Sequence, residues 1–129
     1  MISWFEKHYK LSFVITILIA IIIFYMSSLT GAQTYKASNN IQAVLYHIIV
    51  FFFLSFFLFI STTRGKNKGL LFPSILLSFF YSITDEFHQY FVPGRSSSIS
   101  DIMLDSIGIL FAFMIYFISI KYRVIKHGI

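Results

Sequence analysis

The chain has 129 residues, of which 57% are hydrophobic and only 12% charged. That balance excludes a water-soluble domain of this size, which could not cover its surface with polar groups. The formal charge of +5 would ordinarily raise nucleic acid as a partner, but the basic residues stand at the ends of apolar segments, where they act as topology signals, so no nucleic-acid partner is expected.

The absence of cysteine removes disulfides, thiolate nucleophiles and Cys-ligated metals. Residues 1–10 carry Trp4, Lys7, His8, Tyr9 and Lys10, an interfacial start with aromatic rings at headgroup level and cations outside. From Leu11 to about Leu29 the chain is almost wholly apolar. At about 1.5 Å per residue this run reaches about 28 Å, enough to cross the hydrocarbon. A cleaved signal peptide is the competing reading; Thr30-Gly31-Ala32 is a poor cleavage site and the run is long for such a segment, so it is taken as a retained first span.

A short polar loop with Gln33, Lys36 and Ser38 leads to a second span over about 41–60, rich in phenylalanine and carrying His47 two turns in. A histidine there faces a polar interior or a hydrogen-bonding neighbour helix. Arg64, Lys66 and Lys68 mark the next turn. The third span covers about 70–91, with Pro73 tolerated in its first turn and Pro93-Gly94 stopping it. After Arg95 and a serine run, Ser98 or Ser100 caps a fourth span over about 100–120, followed by a basic tail with Lys121, Arg123 and Lys126. The expected fold is an all-α, integral membrane four-helix bundle forming a single domain over residues 1–129. Eight of the ten Lys and Arg residues fall in the N-terminal segment, the second loop and the tail, and two, Lys36 and Arg95, in the other loops. This bias predicts cytoplasmic N- and C-termini.

Four of the five acidic residues, Asp85, Glu86, Asp101 and Asp105, lie within one stretch near the ends of the third and fourth spans. Carboxylates are costly in a bilayer, so their presence needs a reason. With about 100° per residue, Asp85, His88 and Gln89 share one arc of the third helix with Glu86 at its edge, while Asp101, Asp105 and Gly108 share an arc of the fourth. Gly108 leaves room there for a helix or a ligand. His47 lies at about the same depth. The cluster suits general acid–base chemistry by His88 or His47 and a phosphate held by Arg95. Asp101 and Asp105 are candidates for a divalent cation. Plainer readings stand beside these: Asp101 as a first-turn partner of the helix dipole, and Asp85 or Glu86 with Arg95 as a structural ion pair.

Asp85-Glu86-Phe87-His88-Gln89, then Phe91-Val92-Pro93-Gly94-Arg95, then Ser100-Asp101, Asp105 and Gly108, resembles the signature of the VanZ-like family. Gln33 after the first span and His47 early in the second agree with it. The resemblance implies a small multi-helical membrane protein of the bacterial plasma membrane, linked through the family's name-giving member to resistance to the glycopeptide teicoplanin. It also implies kinship with membrane enzymes that act on lipid headgroups and phosphate linkages. The expected activity is that of a cell-envelope enzyme at the extracytoplasmic face, working on the headgroup of a lipid or a polyprenyl-linked cell-wall precursor. In this reading Asp85, Glu86, His88, His47, Asp101 and Asp105 are catalytic, and Arg95, Gln89, Gly94 and Gly108 bind substrate. The alternative is a non-catalytic protein that binds a lipid headgroup or the glycopeptide antibiotic. A transporter is disfavoured by the lack of an inverted repeat and of a Gly/Pro-broken helix at mid-depth.

Overall fold

In lipid the backbone satisfies its polar groups only as helix or closed β-barrel, and continuous apolar runs lack the alternation of a barrel strand, so they form helices. The computed structural model, which describes residues 1–31 and 40–127, is helical accordingly, with no strand among the described residues. A short helix α1 (Ile2–Lys7) precedes α2 (Tyr9–Ser27), α3 (Asn40–Thr63), α4 (Leu71–Tyr90) and α5 (Ile99–His127), and a single 3-10 turn, Lys68–Leu70, leads into α4. The segments Tyr9–Ser27, Ile41–Thr63, Lys68–Tyr90 and Ile99–Ile125 are each long and apolar enough to cross a membrane. The chain is a multi-pass membrane protein. The polar loop with Gln33 and Lys36 lies outside the described residues.

The bundle is built with its polarity reversed relative to a soluble protein. Phe13, Ile17, Ile21 and Phe24 on α2, Leu76, Phe80 and Phe87 on α4, and Phe111, Met114 and Ile118 on α5 all face outward. Between the helices lie small hydroxylated side chains: Ser12, Thr16 and Ser27 on α2, Ser55, Ser61 and Thr63 on α3, and Ser74, Ser78 and Ser82 on α4. Small residues let helix backbones approach when lipid removes the hydrophobic drive to associate. Many of these hydroxyls return a bond to their own helix, as Thr16 does to Ser12 O at 2.9 Å and Ser78 to Ser74 O at 3.1 Å.

Helix α3 is the centre of the arrangement and packs against α2, α4 and, most extensively, α5. The buried apolar cluster runs along that contact, with Phe51, Leu54, Phe59 and Ile60 of α3 against Ile109, Ala112, Tyr116 and Ile120 of α5. Pro73 sits in the first turn of α4, where its missing amide is not needed. Ser98 proves to be the residue ahead of α5: its Oγ accepts from the Ser100 N–H at 3.2 Å.

One expectation is corrected here. The basic tail is not a tail: α5 continues through Lys121 and Arg123 to His127. Arg and Lys are good helix formers, cations are favoured at a helix C-terminus, and Arg123 has a partner to reach. That partner is Glu6, the fifth carboxylate, which is 6% exposed and accepts from Arg123 through both oxygens, with NH2 to Oε1 at 2.7 Å and NH1 to Oε2. Tyr116 Oη donates to Glu6 Oε1 at 2.8 Å and lies 2.5 Å from Thr63 Oγ1, so α1, α3 and α5 are tied together at this end. Arg123→Ala strands the buried Glu6 carboxylate and should cost about 2 kcal/mol, less than the loss for a fully buried pair because the guanidinium is partly exposed. The check is thermal unfolding in detergent, with Glu6→Gln added to Arg123→Ala restoring part of the loss because no charge is then stranded.

Candidate functional site

At the opposite end of the bundle, the C-terminal ends of α2 and α4 meet the first turns of α5 and the early part of α3. The polar set on α4 follows a four-residue ladder that begins in the apolar part of the helix: Ser74, Ser78, Ser82, Glu86, with Asp85 and Gln89 beside it. All six are buried. At about 100° per residue this set spans an arc of about 120°, and His88 lies about 100° from its middle. The shared arc expected for Asp85, His88 and Gln89 is therefore centred differently. Glu86, expected at the edge, is 2% exposed and points inward, while His88 is only half-buried. The cause is the packing of the serine ladder against α3 and α5, which fixes the rotation of α4.

Two bonded groups result. In the first, Asp105 of α5 is wholly buried; its Oδ1 lies 2.8 Å from His47 Nδ1 on α3, and its Oδ2 accepts from Ser82 Oγ on α4 at 2.7 Å. One carboxylate thus joins three helices and uses both oxygens. In the second, Asp85 Oδ1 accepts from Ser27 Oγ of α2 at 2.5 Å and Oδ2 from Gln89 Nε2 at 2.9 Å. The Gln89 carbonyl in turn accepts from Arg95 NH2 at 2.6 Å. Arg95 therefore reaches Asp85 through an amide and not by the direct ion pair considered above. The ion pairs among the described residues are His47–Asp105 and Glu6–Arg123. The bond to Gln89 occupies one of the five N–H donors of the guanidinium.

Glu86 stands between these groups. Its Oε2 accepts from the Ser98 N–H at 2.9 Å, closing the loop onto α4, and its Oε1 is buried with no hydrogen-bond partner. His47, Glu86 and Asp101 each present one donor atom such that these atoms lie within 4.8 Å of one another. The divalent-cation pair expected from spacing alone was Asp101 with Asp105; the geometry gathers Asp101 with His47 and Glu86 and stations Asp105 behind His47.

The remaining sequence candidates lie at the rim or in the scaffold. His88 Nε2 is 3.0 Å from Ser28 Oγ and its ring stacks on Phe24, 4.7 Å between centroids. Gly94, exposed at φ +73°, makes the tight reversal after α4, in which the Pro93 carbonyl accepts from the Gly31 N–H at 3.1 Å. Gly108 is buried against α3: a Cβ there would overlap the carbonyl oxygen of Ile48 and stand 3.0 Å from Phe52 N. The room left by Gly108 is thus filled by a helix. Sequence reasoning missed Ser27, Ser82 and the Ser98 amide as partners of the acidic groups, and Ser28 as the partner of His88. The signal for Ser82 was present in the spacing Ser74, Ser78, Ser82, Glu86 through an otherwise apolar helix.

Chemically, this is a buried imidazole oriented by a carboxylate, with two further carboxylates within reach and a guanidinium and a second histidine nearer the surface. It can move protons, hold a cation and bind an anion. In comparisons with known proteins, residues 12–120 match the model of the VanZ/LLP1 family, and neither a curated protein nor a solved structure matches the chain.

Proposed function

Because the chain belongs to the VanZ/LLP1 family, and because its ionisable groups gather at one end of a membrane bundle, we propose that it is a bacterial plasma-membrane enzyme that acts on the phosphate or headgroup of a lipid or polyprenyl-linked precursor at the extracytoplasmic face. The observation that carries this reading is the His47–Asp105–Ser82 assembly, drawn from three helices and buried beside Glu86 and Asp101. A purely structural tie between spans would not call for two more carboxylates around it, since buried charge opposes stability unless it is compensated. Positive charge at the other end of the bundle supports the outward disposition, with both termini in the cytoplasm.

In this mechanism Arg95 holds a non-bridging phosphate oxygen, its planar fork suited to that geometry. Gln89 fixes the guanidinium from behind and Asp85 fixes Gln89. A water or hydroxyl oxygen bonds to phosphorus and gives its proton to a base, the bond from phosphorus to the departing oxygen breaks, and that oxygen takes up a proton from an acid. Two histidines can transfer protons: His47, whose Nδ1 is bonded to Asp105, and His88, at the rim over Ser28. Gly94 permits the turn that brings Arg95 back over the end of α4.

The test is incubation of the purified protein in nanodiscs with a panel of phosphate-bearing bacterial lipids and polyprenyl phosphates, products being read by mass spectrometry. Wild type should convert a member of the panel. Arg95→Ala should raise KM at least tenfold, with Arg95→Lys intermediate because a point charge replaces a bidentate fork. Saturable binding of a panel lipid with no product would sink the enzyme reading and leave a headgroup- or antibiotic-binding protein.

A further inference from the structure

We infer that His47, Glu86 and Asp101 form a binding site for one first-row divalent cation, Mn²⁺ or Zn²⁺, with Asp105 and the Ser98 amide as its supporting groups. The inference rests on the enzyme reading only for its use, since the site itself is argued from geometry.

Three helices each contribute one donor: α3 the imidazole, α4 and α5 a carboxylate each. Their separations, within 4.8 Å, lie close to what a metal needs. With metal–ligand bonds of about 2.1 Å, donor atoms around one ion stand about 3–4 Å apart, so the side chains close in by an ångström or so.

Two independent features aim the donors inward. Glu86 is almost wholly buried, yet only Oε2 is bonded, and Oε1 is left without a partner. A buried carboxylate oxygen with no donor is costly, and a cation is the natural occupant beside it. The His47 ring, for its part, is oriented through Nδ1 by Asp105, which presents Nε2 on its other side. A carboxylate behind a ligating histidine is the usual support of a metal-bound imidazole.

Charge and ligand type narrow the ion. A neutral imidazole with two carboxylates balances a divalent charge. The imidazole nitrogen favours Zn²⁺ over Ca²⁺ and Mg²⁺, which take oxygen ligands, and the two carboxylates also suit Mn²⁺. Three protein ligands leave positions open for a water and a phosphate oxygen, as a catalytic ion requires. With His47 engaged on the ion, His88 becomes the histidine left to move the proton.

The experiment is metal titration of the full chain in detergent after chelator treatment, using Mn²⁺ alone and Zn²⁺ alone, by calorimetry and, for Mn²⁺, by electron spin-echo spectroscopy. One equivalent should bind, and the spin-echo trace should show a coordinated nitrogen that disappears in His47→Gln. Glu86→Gln and Asp101→Asn should each weaken affinity at least tenfold, as should Asp105→Asn through the ring it orients. Asp101→Asn, at the half-buried edge of the site, guards against misfolding as the explanation, its integrity being read by circular dichroism. Lys66→Ala, at the other end of the bundle, should leave affinity unchanged. The absence of stoichiometric binding, binding that survives all three ligand substitutions, or a Mn²⁺ signal without nitrogen would overturn the site. Metal binding without lipid turnover would leave the site standing and remove the enzyme reading; lipid turnover by a protein that binds no stoichiometric Mn²⁺ or Zn²⁺ would do the reverse.

Discussion

Asp105→Ala should unfold the site end of the bundle at markedly lower temperature, with a loss of about 3 kcal/mol, and should abolish any turnover. The carboxylate is wholly buried and both its oxygens are used, one facing His47 Nδ1 and the other accepting from Ser82 Oγ. Interhelical hydrogen bonds in membranes average well under 1 kcal/mol and reach about 1.7. Two such bonds alone would give about 1–3 kcal/mol. The upper end applies because alanine leaves an imidazole nitrogen and a hydroxyl unpaired in a dry interior. Asp105→Asn separates structure from chemistry. Its amide can still accept from His47 and bond Ser82, whose hydroxyl rotates to accept, so unfolding should shift by about 1 kcal/mol or less. The charge behind His47 is lost all the same, and turnover should fall about a hundredfold. Equal effects of the two substitutions on unfolding would show that the ionised carboxylate, and not its hydrogen bonds, holds the helices together.

Gly108→Val should be comparably damaging although it removes no hydrogen-bonding side chain. Any Cβ at this position meets the Ile48 carbonyl oxygen and the Phe52 amide on α3, which are backbone atoms that cannot swing aside. The helices must separate, and overpacking of this kind costs about 1–3 kcal/mol, with valine above alanine. The consequence for chemistry follows from position. Ile48 is the neighbour of His47, and Gly108 is one turn from Asp105. Spreading the helices at Gly108 lengthens the His47–Asp105 contact directly. Gly108→Ala should therefore lose metal affinity and turnover out of proportion to its loss of stability. Unfolding of Gly108→Val at the wild-type temperature would mean that α3 and α5 are not in backbone contact.

Much of the architecture was legible in the chain because lipid imposes a strong rule. Four apolar runs separated by turn residues and cations leave little choice of fold, and the expected spans agree with the helices to within a few residues except at the C-terminus. His47 stood out for the same reason, as an imidazole in hydrocarbon has to face something polar, and it faces Asp105. The bond of Ser27 to Asp85 was not legible, and for Ser82 the four-residue spacing marked a polar face without naming Asp105 as the partner. Serine is cheap in a membrane helix, so its presence signals little until a neighbouring helix is placed against it. The rotation of α4 was misjudged at His88 because helical spacing gives relative angles and not the direction of the bundle axis, which the serine ladder sets. The Glu6–Arg123 tie joins residues 117 apart in the chain, and periodicity carries no information on pairing at that separation.

All functional consequences depend on which surface the acidic end of the bundle faces, and the natural absence of cysteine makes this simple to measure. Ser97→Cys, in the loop beside Arg95, and Lys66→Cys, in the turn after α3, place single thiols at opposite ends. In intact cells an impermeant maleimide should label Ser97→Cys, and Lys66→Cys should react only after permeabilisation. Labelling in the opposite pattern would place Arg95 and the His47–Asp105 centre at the cytoplasmic surface and contradict action on lipids at the extracytoplasmic face.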